Sequence, residues 1–191
     1  MRLFATFRND RTLLRRSAAF ADALMVEPAD EDVSWLTEKA TRGDADHARW
    51  ELRYLRRALG ILVAQRDALD DRTPSVVLRA LMERMDRDRN VDADLRELAE
   101  RQFNARLSAY RDAFTSRGHG SPALRVAQNM LAFAGGPIRS GDPVVLHGAK
   151  VVEASLERAN AQLREAFGTP DLPEDVRPSE AAVAAGRKAG R

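Results

Sequence analysis

Apolar residues along this chain recur every three or four positions, which is the period of an amphipathic helix rather than of a strand. The pattern predicts six or seven helices joined by short polar links. A residue that can cap a helix is followed by proline, as is typical of a helix start, at three places: Thr73–Pro74, Ser121–Pro122 and Asp142–Pro143. We therefore expect an all-α helical bundle.

The predicted helices cover approximately residues 9–26, 30–41, 44–71, 73–86, 92–117, 122–134 and 143–167. The third and the last are long and carry heptad-patterned apolar seams. The seam of the third helix comprises Ala48, Leu52, Leu55, Leu59, Leu62 and Leu69. The seam of the last helix comprises Val145, Ala149, Val152, Leu156, Ala159, Leu163 and Ala166. These seams can pack on each other or across a two-fold axis between two copies.

The middle of the third helix, residues 58–64, is apolar on every side. A helix that is apolar all round is buried all round, so this segment is predicted to be the centre of the bundle. Gly60 costs about 1 kcal/mol relative to alanine in a helix interior. A close helix crossing is the physical reason we expect for a glycine there.

Residues 1–168 are predicted to form one domain, and residues 169–191 a flexible C-terminal tail rich in proline, glycine and short aliphatic residues. With 191 residues, 44% of them hydrophobic, the chain has the size and composition of one ordinary domain. The absence of cysteine excludes disulfides, thiolate nucleophiles and cysteine-ligated metals. No stretch approaches the roughly 20 apolar residues of a membrane span. We expect a cytoplasmic protein with no membrane partner, and the strong preference for arginine over lysine suggests a GC-rich bacterial genome.

The charges nearly cancel, at 31 Lys and Arg against 29 Asp and Glu, but they are segregated along the chain. Residues 1–16 are basic, with five arginines and one aspartate, whereas residues 22–46 contain eight acidic and two basic residues. A stripe of arginines beside Trp50 and Tyr54 follows, and it comprises Arg49, Arg53, Arg56 and Arg57. A basic stripe with aromatic residues can bind nucleic acid. The simpler interpretation is neutralisation between neighbouring helices of the bundle.

Asp67, Asp70 and Asp71 crowd the predicted end of the third helix. Clustered acids on helices can hold Mg²⁺ against a pyrophosphate, as in all-α nucleotide pyrophosphohydrolases. Such a site needs a second acidic cluster facing the first, which Glu97 and Glu100 of the fifth helix would supply. The sequence therefore offers a candidate magnesium site made of these five residues.

Two observations weaken this magnesium hypothesis. Glu83 and Asp86 are an equally good second cluster, so the spacing is not distinctive. Arg66 and Arg72 flank the three aspartates as ready counter-ions, which makes a solvated, ion-paired helix end the simpler interpretation.

Asp44, His47 and Glu51 lie on one face at the start of the third helix. A carboxylate followed by histidine in this way is half of a di-iron motif, and the second half is missing from the other helices. The alternative interpretation is a solvated first turn, in which Asp44 caps the helix and His47 pairs with Glu51.

These patterns favour a non-enzymatic helical bundle that acts through protein–protein interaction and self-associates, with no cofactor. The first alternative is a magnesium-dependent phosphohydrolase that uses the acidic clusters. The second is a nucleic-acid-binding regulator that uses the arginine stripe.

Overall fold

The structure is a computed structural model that describes residues 2–67, 72–117 and 120–168, with side chains from Asp10 onward. Over these residues the chain forms seven α-helices and one 3-10 turn, Ala93–Leu95, and has no strand. The helices are α1 (Arg2–Leu24), α2 (Asp30–Lys39), α3 (Ala45–Asp67), α4 (Arg72–Asp86), α5 (Arg96–Thr115), α6 (Pro122–Ala134) and α7 (Pro143–Phe167). The predicted all-α class is confirmed, and the predicted tail 169–191 lies outside the described residues.

Helix α3 occupies the centre of the bundle and packs against each of the other six helices. Its apolar middle is buried as predicted: Ala58, Leu59, Ile61 and Ala64 have no exposed surface. Only Leu62 in this segment is partly exposed, and it still packs against the core.

Gly60 marks the point where α1 crosses α3. A Cβ atom added to Gly60 would overlap the buried side chain of Leu24, so only glycine admits α1 at this distance. This confirms the predicted close crossing. Glu27, just beyond α1, binds Arg53, and the two contacts together show that α1 and α3 run in opposite directions.

Ion pairs join α1 to α4 along their length. Arg72 pairs with Asp10 and Arg84 pairs with Asp22, so these two helices run side by side in the same direction. The described residues include no helix that is long and apolar enough to cross a membrane.

Both predicted apolar seams are covered within the single chain. The buried seam residues of α3 are Ala48, Leu52, Leu55 and Leu59, and those of α7 are Val145, Ala149, Val152, Ala159 and Leu163. Leu62, Leu156 and Ala166 are partly buried against the same core, whereas Leu69 lies outside the described residues. Because α3 packs directly on α7, these apolar residues contribute to the core of one copy.

Several helix bounds differ from the predictions. Helix α1 begins at Arg2 rather than near Asn9, since no proline or glycine interrupts the segment before it. Helix α4 begins at Arg72, so Thr73 lies inside the helix instead of capping it. Helix α5 begins at Arg96 rather than near Asp92, because the 3-10 turn comes first.

The other two predicted caps are present. The Ser121 hydroxyl accepts a hydrogen bond from the Leu124 amide, and the Asp142 carboxylate accepts one from the Val144 amide. Gly135, with φ of 80°, ends α6 in the left-handed conformation that glycine adopts without strain.

Candidate functional site

The first turn of α3 combines a helix cap with a local ion pair. The Asp44 carboxylate accepts a hydrogen bond of 2.9 Å from the His47 amide, and His47 Nε2 lies 3.4 Å from Glu51 Oε1. Both contacts were expected from the sequence. However, the turn is not solvated throughout, because only 1% of the Glu51 side chain is exposed.

Glu51 is buried because Arg106 of α5 neutralises it. Arg106 Nε donates to Glu51 Oε2 at 3.0 Å, and Nη2 donates to Oε1. The guanidinium also lies 4.3 Å from the centre of the Phe133 ring and 5.1 Å from that of Tyr54. Burial alone would lower the pKa of Arg106, but its hydrogen bonds and attraction to Glu51 outweigh this and raise the pKa. The Arg106 guanidinium is therefore charged at neutral pH.

Two tyrosines line this polar interior. The Tyr54 hydroxyl lies 3.0 Å from the side-chain oxygen of Gln102, and burial raises the pKa of Tyr54. The Tyr110 hydroxyl is buried and has no hydrogen-bond partner among the described residues. Burial, with a smaller effect of the Glu51 charge, raises the pKa of Tyr110. Both phenols are therefore neutral at neutral pH.

Two of the four arginines predicted to bind nucleic acid are buried in ion pairs. Arg53 binds the Glu27 carboxylate through two hydrogen bonds of 3.0 and 2.8 Å, and Arg57 binds Asp88 at 3.0 Å. Only 8% and 2% of the arginine side chains are exposed. Asp88 is also held by Asn90, and these contacts outweigh the effect of burial and lower the pKa of Asp88.

The remaining two arginines of the stripe differ from each other. Arg56 is partly buried and donates to the Ala23 carbonyl oxygen at 3.1 Å. Arg49 has no ion pair among the described residues and lies on the wall of a groove between α2 and α3. Trp50, an aromatic residue of the predicted stripe, packs against one of the buried arginines: the Arg53 guanidinium lies 4.4 Å from the centre of its ring.

The predicted magnesium residues are only partly within the described chain. Asp67 forms two hydrogen bonds with its neighbour Arg66, and Glu97 pairs with Arg101 on the surface of α5. Glu100 is exposed on α5 as well. Asp70 and Asp71, and with them most of the first predicted cluster, lie outside the described residues. Among the residues that are described, no three His, Asp or Glu side chains are grouped to hold a metal ion.

Helix geometry separates Asp67 from Glu97. Tyr54 contacts Gln102 and Glu51 contacts Arg106, so α3 and α5 are antiparallel. The contact between Tyr54 and Gln102 is a common reference point on both helices. From that reference point Asp67 lies about 20 Å further along α3, whereas Glu97 lies about 8 Å further in the same direction. The structure therefore does not bring these two carboxylates together.

Sequence reasoning missed the long-range partners in this interior: Glu27, Asp88, Gln102 and Arg106. A partial signal exists for Arg106, which is the only charged residue of the stripe formed by Phe103, Leu107 and Tyr110 on its helix face. A charge among apolar positions indicates a buried partner, but it does not say which acid that partner is.

The groove that contains Arg49 is an open depression of about 400 Å³ beside the first turns of α3. It is lined by Asp30, Val33, Ser34, Thr37, Glu38, Ala45 and Arg49. Its charged residues are two carboxylates on the α2 side and one guanidinium on the α3 side, and its apolar residues are Val33 and Ala45.

Charges on the surface remain segregated after folding. On α1, Arg11 and Arg15 are exposed and have no ion pair in the described part of the chain. Around α2 the same holds for Asp30, Glu31 and Asp46. The expected neutralisation of the arginine stripe by the acidic segment is thus partial. Glu27 pairs with Arg53, whereas Asp30, Glu31 and Asp46 have no ion pair among the described residues.

Compared with models of protein families, with curated proteins and with solved structures, the chain matches none.

Proposed function

We propose that this protein is a non-enzymatic helical bundle that acts through protein–protein interaction and self-associates. The observation that carries the proposal is the position of its unpaired charges. Exposed arginines on α1 and exposed acids around α2 lie at opposite ends of the central helix.

The distance between these charges follows from the contacts of α1. Leu24 lies at Gly60, and α1 runs antiparallel to α3. Arg11 precedes Leu24 by thirteen residues and so lies about 20 Å toward the C-terminal end of α3. Arg49 lies about 16 Å from Gly60 in the other direction. The basic and acidic surfaces are therefore about 36 Å apart along the bundle.

This separation prevents the two surfaces from neutralising each other within one copy. Two copies arranged head to tail bring them into contact and pair their charges. Such a contact joins different surfaces of the two copies. Made once between neighbours it produces a ring or an open chain, and made twice around a two-fold axis it produces an antiparallel dimer.

The interior supports a structural role for the remaining charged residues. Glu51 with Arg106, Arg53 with Glu27, and Arg57 with Asp88 each join elements that are distant in sequence. We assign these pairs to holding the helices in place, which leaves the surface charges to recognise other copies.

The test is the molar mass in solution as a function of protein concentration and salt. We expect light scattering to give a mass that rises above 21.2 kDa with concentration at low ionic strength. In about 500 mM salt the Debye length falls to roughly 4 Å, and the mass should return to that of the monomer. A mass of 21.2 kDa at every concentration in low salt would overturn the proposal.

A further inference from the structure

The residues that line the groove between α2 and α3 are complementary to a basic, amphipathic helix. Val33 and Ala45 supply its apolar lining. Asp30 and Glu38, eight residues apart on α2, place two carboxylates about 12 Å apart along one wall. Arg49 on the other wall repels basic side chains, so the basic edge of a bound helix should lie on the α2 side.

A helix face with the complementary chemistry is exposed on this same chain. On α1, Leu14 is 48% exposed, although it is a large apolar residue. Arg11 and Arg15 lie on the same face of the helix, three residues before and one residue after Leu14, and both are exposed. This face therefore presents one apolar side chain beside two guanidinium groups.

The dimensions of the groove and of this face agree. Arg11 and Arg15 are separated by about 6 Å along α1. Their long side chains can diverge by about 3 Å at each end to reach carboxylates that are about 12 Å apart. Leu14 lies between them along the helix axis and to one side of both, where it can contact Val33 or Ala45. Glu38 already contacts the exposed Lys39, its neighbour in sequence, but an exposed pair of this kind is weak and leaves the carboxylate able to bind an arginine.

We infer that the α2–α3 groove binds the exposed α1 face of a second copy, with Arg11 and Arg15 pairing with Asp30 and Glu38 around Leu14. This inference rests on the proposed self-association and names its contact surface. The separation of the two surfaces within one molecule requires that the contact be intermolecular.

Charge reversal of each surface tests the inference on the full-length protein. One double variant carries Arg11→Glu and Arg15→Glu, and the other carries Asp30→Arg and Glu38→Arg. Each alone should raise the apparent dissociation constant of assembly at least about 30-fold, because like charges then face each other. An equimolar mixture of the two variants should assemble again, since each reversed surface meets a complementary one. This restoration also shows that both variants are folded.

Matched reversals elsewhere serve as controls. Glu153→Arg with Glu157→Arg changes two exposed acids of α7, and Arg111→Glu with Arg117→Glu changes two exposed arginines. Both controls should assemble as the wild type does.

The outcomes separate this inference from the proposed function. If the wild type assembles in low salt and charge reversal at Asp30 and Glu38 has no effect, the groove is not the contact surface. The proposed self-association would still be supported. The same conclusion follows if the mixture of the two variants stays monomeric while each variant alone is folded. If the wild type is monomeric under all conditions, both the proposed function and this inference are wrong.

Discussion

Arg106 of α5 and Glu51 of α3 form an ion pair that is nearly closed off from solvent, with 10% and 1% of their side chains exposed. Both carboxylate oxygens accept a hydrogen bond from the guanidinium. An isolated charge is costly in a protein interior, and each partner offsets the desolvation of the other. Since the two residues are 55 positions apart in the sequence, their pairing fixes how α5 lies on α3.

Removing one partner of this pair should strongly destabilise the fold. Glu51→Gln leaves the buried Arg106 guanidinium without a counter-charge, and we expect the free energy of unfolding to fall by about 3–5 kcal/mol. Urea denaturation followed by circular dichroism measures this change.

The exposed pair of Glu97 and Arg101 provides the matched control. It joins residues four apart on α5, and 81% of the Glu97 side chain is exposed. Glu97→Gln should cost no more than about 0.5 kcal/mol. Replacing both buried partners, by Glu51→Leu and Arg106→Met, should recover much of the loss caused by Glu51→Gln. A cost below about 1 kcal/mol for Glu51→Gln would contradict the assignment of a structural ion pair.

The sequence predicted those parts of the fold that depend on short-range signals. The apolar period placed the helices, and the uninterrupted apolar segment 58–64 identified the centre of the bundle. Ser121 and Asp142 were recognisable as caps because a cap acts within three residues. The start of α5 was displaced because the preceding polar turn has no strong helix-start signal.

The partners inside the bundle were not predictable in the same way. Glu51, Arg53 and Arg57 were visible as charges on α3, but each pairs with a residue more than twenty positions away. With 31 basic and 29 acidic side chains, many pairings are chemically equivalent until the helices are placed. Only the packing of α3 decides which charges are buried together.

Gly60 should not tolerate alanine, although alanine is the better helix former. The added Cβ would overlap the side chain of Leu24, which is 1% exposed and cannot move away freely. Overpacking of this kind costs about 1–3 kcal/mol, which exceeds the gain of about 1 kcal/mol in helix propensity. We expect Gly60→Ala to lower the midpoint of urea unfolding.

Gly148 of α7 is the control for this substitution. Its added Cβ would lie 3.4 Å from the Cβ of Ala127 and 3.5 Å from Leu131 and Trp35, which are ordinary contacts. Gly148→Ala should therefore stabilise the protein by about 0.5–1 kcal/mol. The prediction fails if the two substitutions change stability in the same direction and by the same amount.

Tyr110→Phe should leave the protein as stable as the wild type or make it more stable. The hydroxyl is fully buried without a hydrogen-bond partner among the described residues, and an unsatisfied polar group of this kind costs about 1–3 kcal/mol. The raised pKa of Tyr110 adds a second expectation. Above about pH 10 the unfolded tyrosine ionises and the folded one does not, so this residue lowers the stability of the wild type there, whereas the phenylalanine variant has no such loss.

Thermal unfolding of both proteins at neutral and alkaline pH checks these expectations. Tyr54→Phe is the comparison, because its hydroxyl bonds with Gln102 and its loss should cost about 1 kcal/mol. A loss of stability in Tyr110→Phe larger than in Tyr54→Phe would show that the Tyr110 hydroxyl makes a stabilising contact.

Lowering the pH should decrease the contribution of Asp88 to the free energy of unfolding and increase that of Asp32. The contacts of Asp88 with Asn90 and Arg57 outweigh its burial and lower its pKa in the folded state. An aspartate with a lowered pKa contributes stability above its unfolded value of about 4 and loses it as the pH falls through the folded value. Asp88→Asn should therefore be destabilised most at neutral pH, and its deficit relative to the wild type should shrink below about pH 4.

Asp32 supplies a control with the opposite sign. Its burial, together with the neighbouring charge of Glu31, outweighs the attraction of Arg158 and His147 and raises its pKa. Its contribution is favourable below about pH 4 and is lost as the pH rises through the folded value, so Asp32→Asn should gain stability relative to the wild type on going from acid to neutral pH. Urea midpoints measured from about pH 3 to pH 7 distinguish the two carboxylates, because the difference curves should slope in opposite directions. Parallel curves would show that the Arg57–Asp88 contact does not hold the Asp88 carboxylate in its charged form.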